Sequence, residues 1–202
     1  MVEEEKLQMG GLLLNLTIAN FAFQNIFGSP FLSFTRNTKL SLFNFKISRF
    51  DQPFVYNING QANFSKGIIQ KSLNTAITIG NHFRTPNSDC CLQTDFKDNE
   101  YYVFDSLQLT DCGSFVQSIN AVNYIVRIHC CQIYITRQYQ ISNYFVDLPN
   151  NYQIDITSST FTDKYYGSDG IIRSLSDDIP NYYSSFSMSN SWLKGEHIIK
   201  PH

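Results

Sequence analysis

The feature that most constrains the fold is a hydrophobic pattern that occurs twice near the start of the chain. The stretch "LTIANFAFQNI" (16–26) aligns without a gap with "LSLFNFKISRF" (40–50). Five apolar pairs coincide in this alignment, among them Leu16 with Leu40 and Phe21 with Phe45. Self-similarity with a period in the low twenties is typical of a solenoid, in which each unit stacks on the next.

Within each unit, apolar and polar residues alternate, which predicts half-buried β-strands. Later units keep a weaker form of the pattern: an alternating pair such as Leu107-x-Leu109, a polar turn and an apolar doublet such as Phe115-Val116. Residues 81–100 are polar and rich in turn formers, and they break the pattern. The chain is therefore predicted to be a stack of about seven β-coils, roughly 35 Å long, because parallel strands lie about 4.8 Å apart.

The predicted domain organisation follows from where the pattern begins and ends. Residues 1–11 form an N-terminal tail or cap, residues 12–193 form the β-coil domain with an irregular loop at 81–100, and residues 194–202 form a C-terminal tail. The alternative fold is a β-sandwich or jelly roll, which also has many short alternating strands. The gap-free near-copy at the start favours the stack of coils.

Composition excludes several classes of function. The net charge of −2 leaves no basic surface to hold nucleic acid, and 43% apolar residues exclude a disordered chain. No apolar run is long enough for a membrane span, and none has the flanks of a signal peptide. Low charge and the glycosylation sequons at Asn15 and Asn63 nevertheless indicate an extracellular or cell-surface protein, of which this chain is predicted to be a fragment.

The repeated units, such as "LTIANFAFQNI", resemble those of right-handed parallel β-helix proteins of the pectin-lyase-like kind. They are similar above all to the degenerate, Asn- and Phe-rich repeats of large surface proteins of protists and bacteria, over most of residues 12–193. The resemblance implies a right-handed parallel β-helix. The enzymes of that family carry Asn-Thr-Asp, Asp-Asp, Gly-His-Gly and Arg-x-Lys signatures, of which this chain has only Asp177-Asp178. The resemblance therefore implies the fold without the catalytic activity.

The five cysteines occur at spacings close to one coil, so stacking would bring their side chains together. Three arrangements are compatible with this spacing: a buried thiol ladder, disulfides between coils, or a metal site that uses His129 with the second doublet. Neighbouring strand residues point to opposite faces, which disfavours the metal site. The candidate cluster consists of Cys90, Cys91, Cys112, Cys130 and Cys131.

Three tyrosine doublets are the remaining candidates for a binding role. On a strand one ring of each doublet faces inward and the other outward, and an outward row could stack on sugar rings. The alternative is that these rings fill the coil interior and its surface. The candidate sugar-stacking residues are Tyr102, Tyr166 and Tyr183.

No catalytic residue, cofactor or metal ligand is predicted, since Arg127, Arg137 and Arg173 lie on separate coils and Asp177-Asp178 precedes a turn. We therefore expect a non-catalytic structural or binding module from a larger cell-surface or extracellular protein. The alternatives are a carbohydrate-binding or carbohydrate-active β-helix protein and a self-assembling capsid or filament subunit. The expected partners are a polysaccharide or another protein chain, with end-to-end association.

Overall fold

The computed structural model describes residues 14–33, 38–58, 60–80, 101–119, 124–135, 144–149, 153–163, 171–173 and 185–194. The regular structure in these ranges is entirely β-strand, as the alternating pattern predicted. None of the described residues belongs to a helix that is long and apolar enough to cross a membrane. The fifteen strands are β1 (Leu14–Ile26), β2 (Leu32–Ser33), β3 (Thr38–Phe50), β4 (Val55–Ile58), β5 (Gly60–Gly80), β6 (Tyr101–Asp105), β7 (Gln108–Ile119), β8 (Ile125–His129), β9 (Gln132–Ile135), β10 (Val146–Asp147), β11 (Gln153–Thr157), β12 (Thr160–Asp163), β13 (Ile172–Arg173), β14 (Ser185–Ser189) and β15 (Trp192–Lys194).

The strands form one curled sheet, and every pairing between described strands is parallel. The chain passes through three ladders in turn. The first ladder runs β1–β3–β5–β6–β8–β11–β14, the second β1–β3–β5–β7–β9–β12–β15, and the third β2–β4–β5–β7–β10–β13. This arrangement is consistent with a β-solenoid. It does not fit the alternative sandwich or jelly roll, whose strands pair antiparallel.

We call each turn of the chain through the ladders a pass. The repeated hydrophobic pattern corresponds to β1 and β3, which belong to the first two passes and pair in the register that the sequence alignment gives. Leu16 lies opposite Leu40, and Phe21 lies opposite Phe45. The rings of Phe21 and Phe45 stack with centroids 5.5 Å apart and planes inclined by 11°. The predicted stacking of these pairs is therefore confirmed, and its cause is that equivalent positions of successive passes share one face of the ladder.

The number of residues in one pass is not constant along the chain. It decreases from the first pairing, in which Leu14 lies opposite Thr38, to the second, in which Thr38 lies opposite Gly60. It is larger in the later pairings, where Gln153 lies opposite Ser185. The additional residues lie between the described strands in the sequence, and the strands on either side of them keep their parallel pairing. This drift explains why the sequence repeat weakens after its first two units.

Each pass changes direction at a corner where the backbone is left-handed. The corner between the first and second ladders has φ between +49° and +54° at each of the seven strands of the first ladder. For residues other than glycine, this backbone conformation has a cost in free energy, and Asn is among the residues for which that cost is smallest. We call these residues the corner file: Asn20, Asn44, Lys66, Ser106, Cys130, Ser158 and Asn190.

The first two members of the corner file are asparagines whose side-chain amides stack on one another. Asn44 Nδ2 donates a hydrogen bond of 2.6 Å to Asn20 Oδ1, one pass away. A second left-handed corner follows the second ladder, with φ between +57° and +63°. That corner consists of Asn25, Arg49, Lys71 and Asp111.

The core fills the concave side of the sheet with aligned apolar side chains. Phe64 and Phe104 stack with centroids 5.3 Å apart, as the register of β5 with β6 requires. The Phe21–Phe45 pair is not continued in the next pass, where Gly67 lies opposite Phe45. A Cβ on Gly67 would collide with the Phe45 ring, so glycine makes room for that ring.

We predict that Asn44→Ala destabilises the fold by about 1–2 kcal/mol, because alanine bears the cost of a left-handed backbone and the amide bond to Asn20 is lost. Asn44→Gly should cost less, since glycine adopts positive φ freely. Urea unfolding followed by circular dichroism measures both variants. Asn63→Ala, an exposed strand position, is the control and should be near neutral. Equal stability of Asn44→Ala and the parent would contradict the role of the corner.

Candidate functional site

Among the described residues, a group of polar contacts lies on the outer surface of the first ladder. Alternation along β6, β8, β11 and β14 directs every second side chain outward, and the parallel register aligns these side chains across the strands. We call this surface the lateral face. Its side chains are Tyr101, Val103, Asp105, Ile125, Arg127, His129, Gln153, Asp155, Thr157, Ser185, Ser187 and Ser189.

Asp155 is at the centre of one polar network on the lateral face. Its carboxylate accepts hydrogen bonds from Ser187 Oγ at 2.6 Å and from Gln153 Nε2 at 2.7 Å. Arg127 Nε lies 3.5 Å from the same carboxylate, and the Arg127 guanidinium lies 5.1 Å from the centre of the Tyr101 ring. The network therefore links four successive strands.

The network determines the charge of its carboxylate. Partial burial by itself would raise the pKa of Asp155, but the hydrogen bonds from Ser187 and Gln153 and the positive charge of Arg127 outweigh it and lower the pKa below its ordinary value. An ionised carboxylate that is already paired does not serve as a general acid at neutral pH. The arrangement is suited to binding rather than to proton transfer.

A second cluster lies at one edge of the lateral face, where the chain turns into the second ladder. Asp105, His129 and Cys130 place one ligand atom each within 4.8 Å of one another. Cys130 Sγ lies 3.1 Å from His129 Nε2, and Thr157 Oγ1 lies 2.7 Å from His129 Nδ1. Asp105, His129 and Thr157 are aligned because they occupy the same position of three paired strands.

This cluster was not predicted from the sequence. A metal site that uses His129 with the adjacent cysteines was disfavoured, because neighbouring strand residues point to opposite faces. That argument does not apply to Cys130, because this residue lies at a left-handed corner with φ of +51° and not within a strand. Asp105 could be associated with His129 only through the register of β6 with β8.

The spacing of the cysteines does not bring Cys112 and Cys130 together, although the sequence predicted that stacking would do so. Gln108 lies opposite Gln132, so one pass there is longer than the separation of Cys112 from Cys130. Cys112 instead lies opposite Ser72, so a thiol ladder at this position was a wrong prediction. Cys112, Cys130 and Cys131 are all thiols rather than disulfides. Cys90 and Cys91 lie outside the described residues.

The two members of the second cysteine doublet differ in environment. Cys130 is exposed, whereas Cys131 is buried and its thiol lies within hydrogen-bond reach of the carbonyls of Phe104 at 3.4 Å and His129 at 3.3 Å. Burial raises the pKa of Cys131 to about 12, and the nearby charge of Asp105 adds to that increase. Cys131 is therefore a protonated, packed thiol at neutral pH.

The structure corrects one of the predicted sugar-stacking residues. Tyr102 is fully buried, and its hydroxyl donates to the carbonyl of Ile58 at 3.2 Å, so its ring is not accessible to a ligand. The outward ring of that doublet is Tyr101, which contacts Arg127. Tyr166 and Tyr183 lie outside the described residues.

The predicted glycosylation sites lie on the outer surface. Asn15 and Asn63 are both exposed, on β1 and β5 respectively. Their modification stays a prediction.

One of the three arginines named in the sequence analysis, Arg173, forms a bidentate ion pair with Asp147, with Nε–Oδ1 and Nη2–Oδ2 distances of 2.6 Å and 3.1 Å. Arg137 and the acidic pair Asp177-Asp178 lie outside the described residues.

Compared with known proteins, the chain matches no protein-family model, no curated protein and no solved structure.

We predict a large difference in thiol reactivity within the doublet. In the folded, metal-free protein, Cys130 should react with an alkylating reagent at neutral pH at a rate typical of an exposed thiol, and Cys131 should stay unmodified until the protein unfolds, because it is buried and protonated. Peptide mass spectrometry after timed alkylation, with and without denaturant, measures both sites. Rapid native labelling of Cys131 would show that its environment is not closed.

Proposed function

We propose that this chain is a non-catalytic structural or binding module, built as a right-handed parallel β-helix of about seven coils. The succession of parallel ladders supports this architecture. We propose further that the module belongs to a larger cell-surface or extracellular protein of the pectin-lyase-like β-helix kind. The exposed positions of Asn15 and Asn63 support that location, since the glycosylation machinery requires accessible sequons.

The observation that carries the proposal is the exposure of inner apolar side chains at the two outermost strand positions. Inner residues of central strands, such as Phe64 and Ile128, are fully buried. On β1, Phe23 is 43% exposed, and on β14, Phe186 is 41% exposed, although their partners Ile47 and Ile154 are fully buried. At both outermost strands, the apolar side chains that would be covered by a neighbouring strand in the interior of the stack are therefore exposed.

The occupant that best fits these surfaces is a further β-coil of the same kind. Among described strands, β1 pairs with β3 alone, so one side of its thirteen-residue backbone faces away from the sheet. A parallel coil would satisfy those backbone groups and would cover Leu16, Ile18 and Phe21 as β1 itself covers β3. In a longer protein such a coil would come from the same chain. In the isolated module a second copy can supply it head to tail.

We predict that the purified chain associates with increasing concentration through β1. Sedimentation velocity over a wide concentration range measures this association. Ile18→Lys, which places a charge in the inner row of β1, should shift the protein toward the monomer. Thr17→Lys, its outward neighbour, is the matched control and should associate like the parent. Circular dichroism verifies that both variants are folded.

Two results would contradict the proposal. A parent chain that stays monomeric throughout the range would show that the outermost strands do not accept a further coil. Equal loss of association in Ile18→Lys and Thr17→Lys would show that general charge, and not the inner row of β1, controls the contact.

A second candidate function is carbohydrate binding at the lateral face. It is favoured by the pairing of Arg127 with Asp155 on adjacent strands beside the Tyr101 ring, since arginine and aromatic side chains recognise carboxylated sugars. Titration with a uronate oligosaccharide and with a neutral one, followed by calorimetry, tests this candidate. Binding of the uronate should be lost in Arg127→Gln and kept in Lys39→Gln, an exposed control on β3. Absence of binding by the parent would eliminate it.

A further inference from the structure

We infer that Asp105, His129 and Cys130 form a binding site for a divalent transition-metal ion of the zinc type. The site lies at the corner between the first and second ladders, at the edge of the lateral face. It offers one carboxylate oxygen, one imidazole nitrogen and one sulfur, all within 4.8 Å of one another. All three ligands belong to this cluster, so the site does not require further coils.

The distances suit a small ion with short bonds. Zinc bonds of about 2.0–2.3 Å in tetrahedral geometry place ligand atoms roughly 3.3–3.8 Å from one another. His129 Nε2 and Cys130 Sγ are 3.1 Å apart, and no pair in the cluster exceeds 4.8 Å. Side-chain movements of about 1 Å therefore bring the three atoms into a coordination shell.

The backbone fixes the ligands in place before any ion binds. Asp105 lies opposite His129 in the register of β6 with β8. The amide of Ser106 donates to the carbonyl of His129 at 2.9 Å, and the amide of Cys130 donates to the carbonyl of Thr157 at 3.1 Å. The site thus spans three strands whose relative positions are set by the sheet.

Thr157 orients the imidazole. Its Oγ1 lies 2.7 Å from His129 Nδ1. When Nδ1 carries the proton and donates it to this hydroxyl, the lone pair of Nε2 is directed toward Cys130 and is available to a metal. Metal-binding histidines commonly use their second nitrogen in this way, and loss of such a partner costs about 10–100-fold in metal affinity.

The donor set selects the class of ion. Calcium and magnesium prefer shells of oxygen atoms, whereas a thiolate and an imidazole together favour zinc and its neighbours. Three protein ligands leave the fourth position of a tetrahedral ion to water or to a group from another molecule. His129 and Cys130 are both exposed, so an ion can enter without movement of the fold.

The position of the thiol within the corner file strengthens the assignment. Cys130 is the one thiol in the file, whose other members are Asn, Ser or Lys. A left-handed backbone gives no steric preference for cysteine, so the conformation by itself does not account for the residue. The thiol occurs at the pass where a histidine and an aspartate lie within reach.

Cobalt titration tests the site, because cobalt replaces zinc and a bound thiolate gives a charge-transfer absorption band. The protein should carry Cys90→Ser and Cys91→Ser, so that the first cysteine doublet contributes no thiolate, and a non-thiol reductant keeps the remaining cysteines reduced. We expect one cobalt ion per chain with a thiolate band, and we expect zinc to displace the cobalt. In this background, Thr157→Val should weaken cobalt binding about 10–100-fold.

The decisive variant is Cys130→Asn. Asparagine occupies the same corner at other passes, such as those of Asn20 and Asn44, so this variant removes the thiol without straining the fold. We expect the thiolate band to disappear. Ser158→Asn, at the equivalent corner of the next pass, is the control and should leave cobalt binding unchanged. A parent protein without the band, or a band that persists in Cys130→Asn, would overturn the assignment.

Discussion

Everything else in this structure depends on the in-register parallel backbone ladder. Because each pass lies directly over the previous one, a residue is covered by its counterpart in the next pass, and the same kind of side chain recurs down each row. The stacked rings of Phe21 with Phe45 and of Phe64 with Phe104 are the direct result. A single pass has too few apolar groups to bury itself, so the stability of each pass comes from its neighbours.

The ladder can curl only because the chain turns sharply at fixed points. Left-handed residues at the corner between the first and second ladders recur at all seven strands of the first ladder, and a second set of four follows the second ladder. Each such residue costs about 1–2 kcal/mol unless it is glycine or a tolerant residue such as Asn. The paired amides of Asn20 and Asn44 offset part of this cost. At Cys130 the same turn also places a thiol beside an imidazole.

Stacking also creates chemistry on the outside of the sheet. Residues that are one full pass apart in sequence become direct neighbours on the lateral face, as Asp155 does with Arg127 and Ser187. These contacts are made between side chains on paired strands, so their geometry is set by the register and not by loops. A binding surface of this kind can change by substitution at outward positions without any change to the inner rows.

The sequence by itself determined the β-class of the chain and the register of its first two passes. Alternation and the gap-free match of 16–26 with 40–50 are sufficient, because inward residues must match wherever coils stack. Later passes differ in length, as the pairings of Thr38 with Gly60 and of Gln61 with Tyr101 show, and alternation carries no information on loop length.

Only the tertiary structure decided which side chains meet. Tyr102 lies in the core and Tyr101 on the surface. The sequence could not decide which tyrosine of the doublet faces inward, because two adjacent identical residues fit the alternation equally well in either position. Cys112 and Cys130, which the sequence spacing predicted to be neighbours, do not lie opposite each other, whereas Asp105 lies opposite His129. The physical reason is the same in each case. Local sequence specifies the strand and its alternation, whereas the partners of a side chain depend on how many residues the chain uses between one pass and the next.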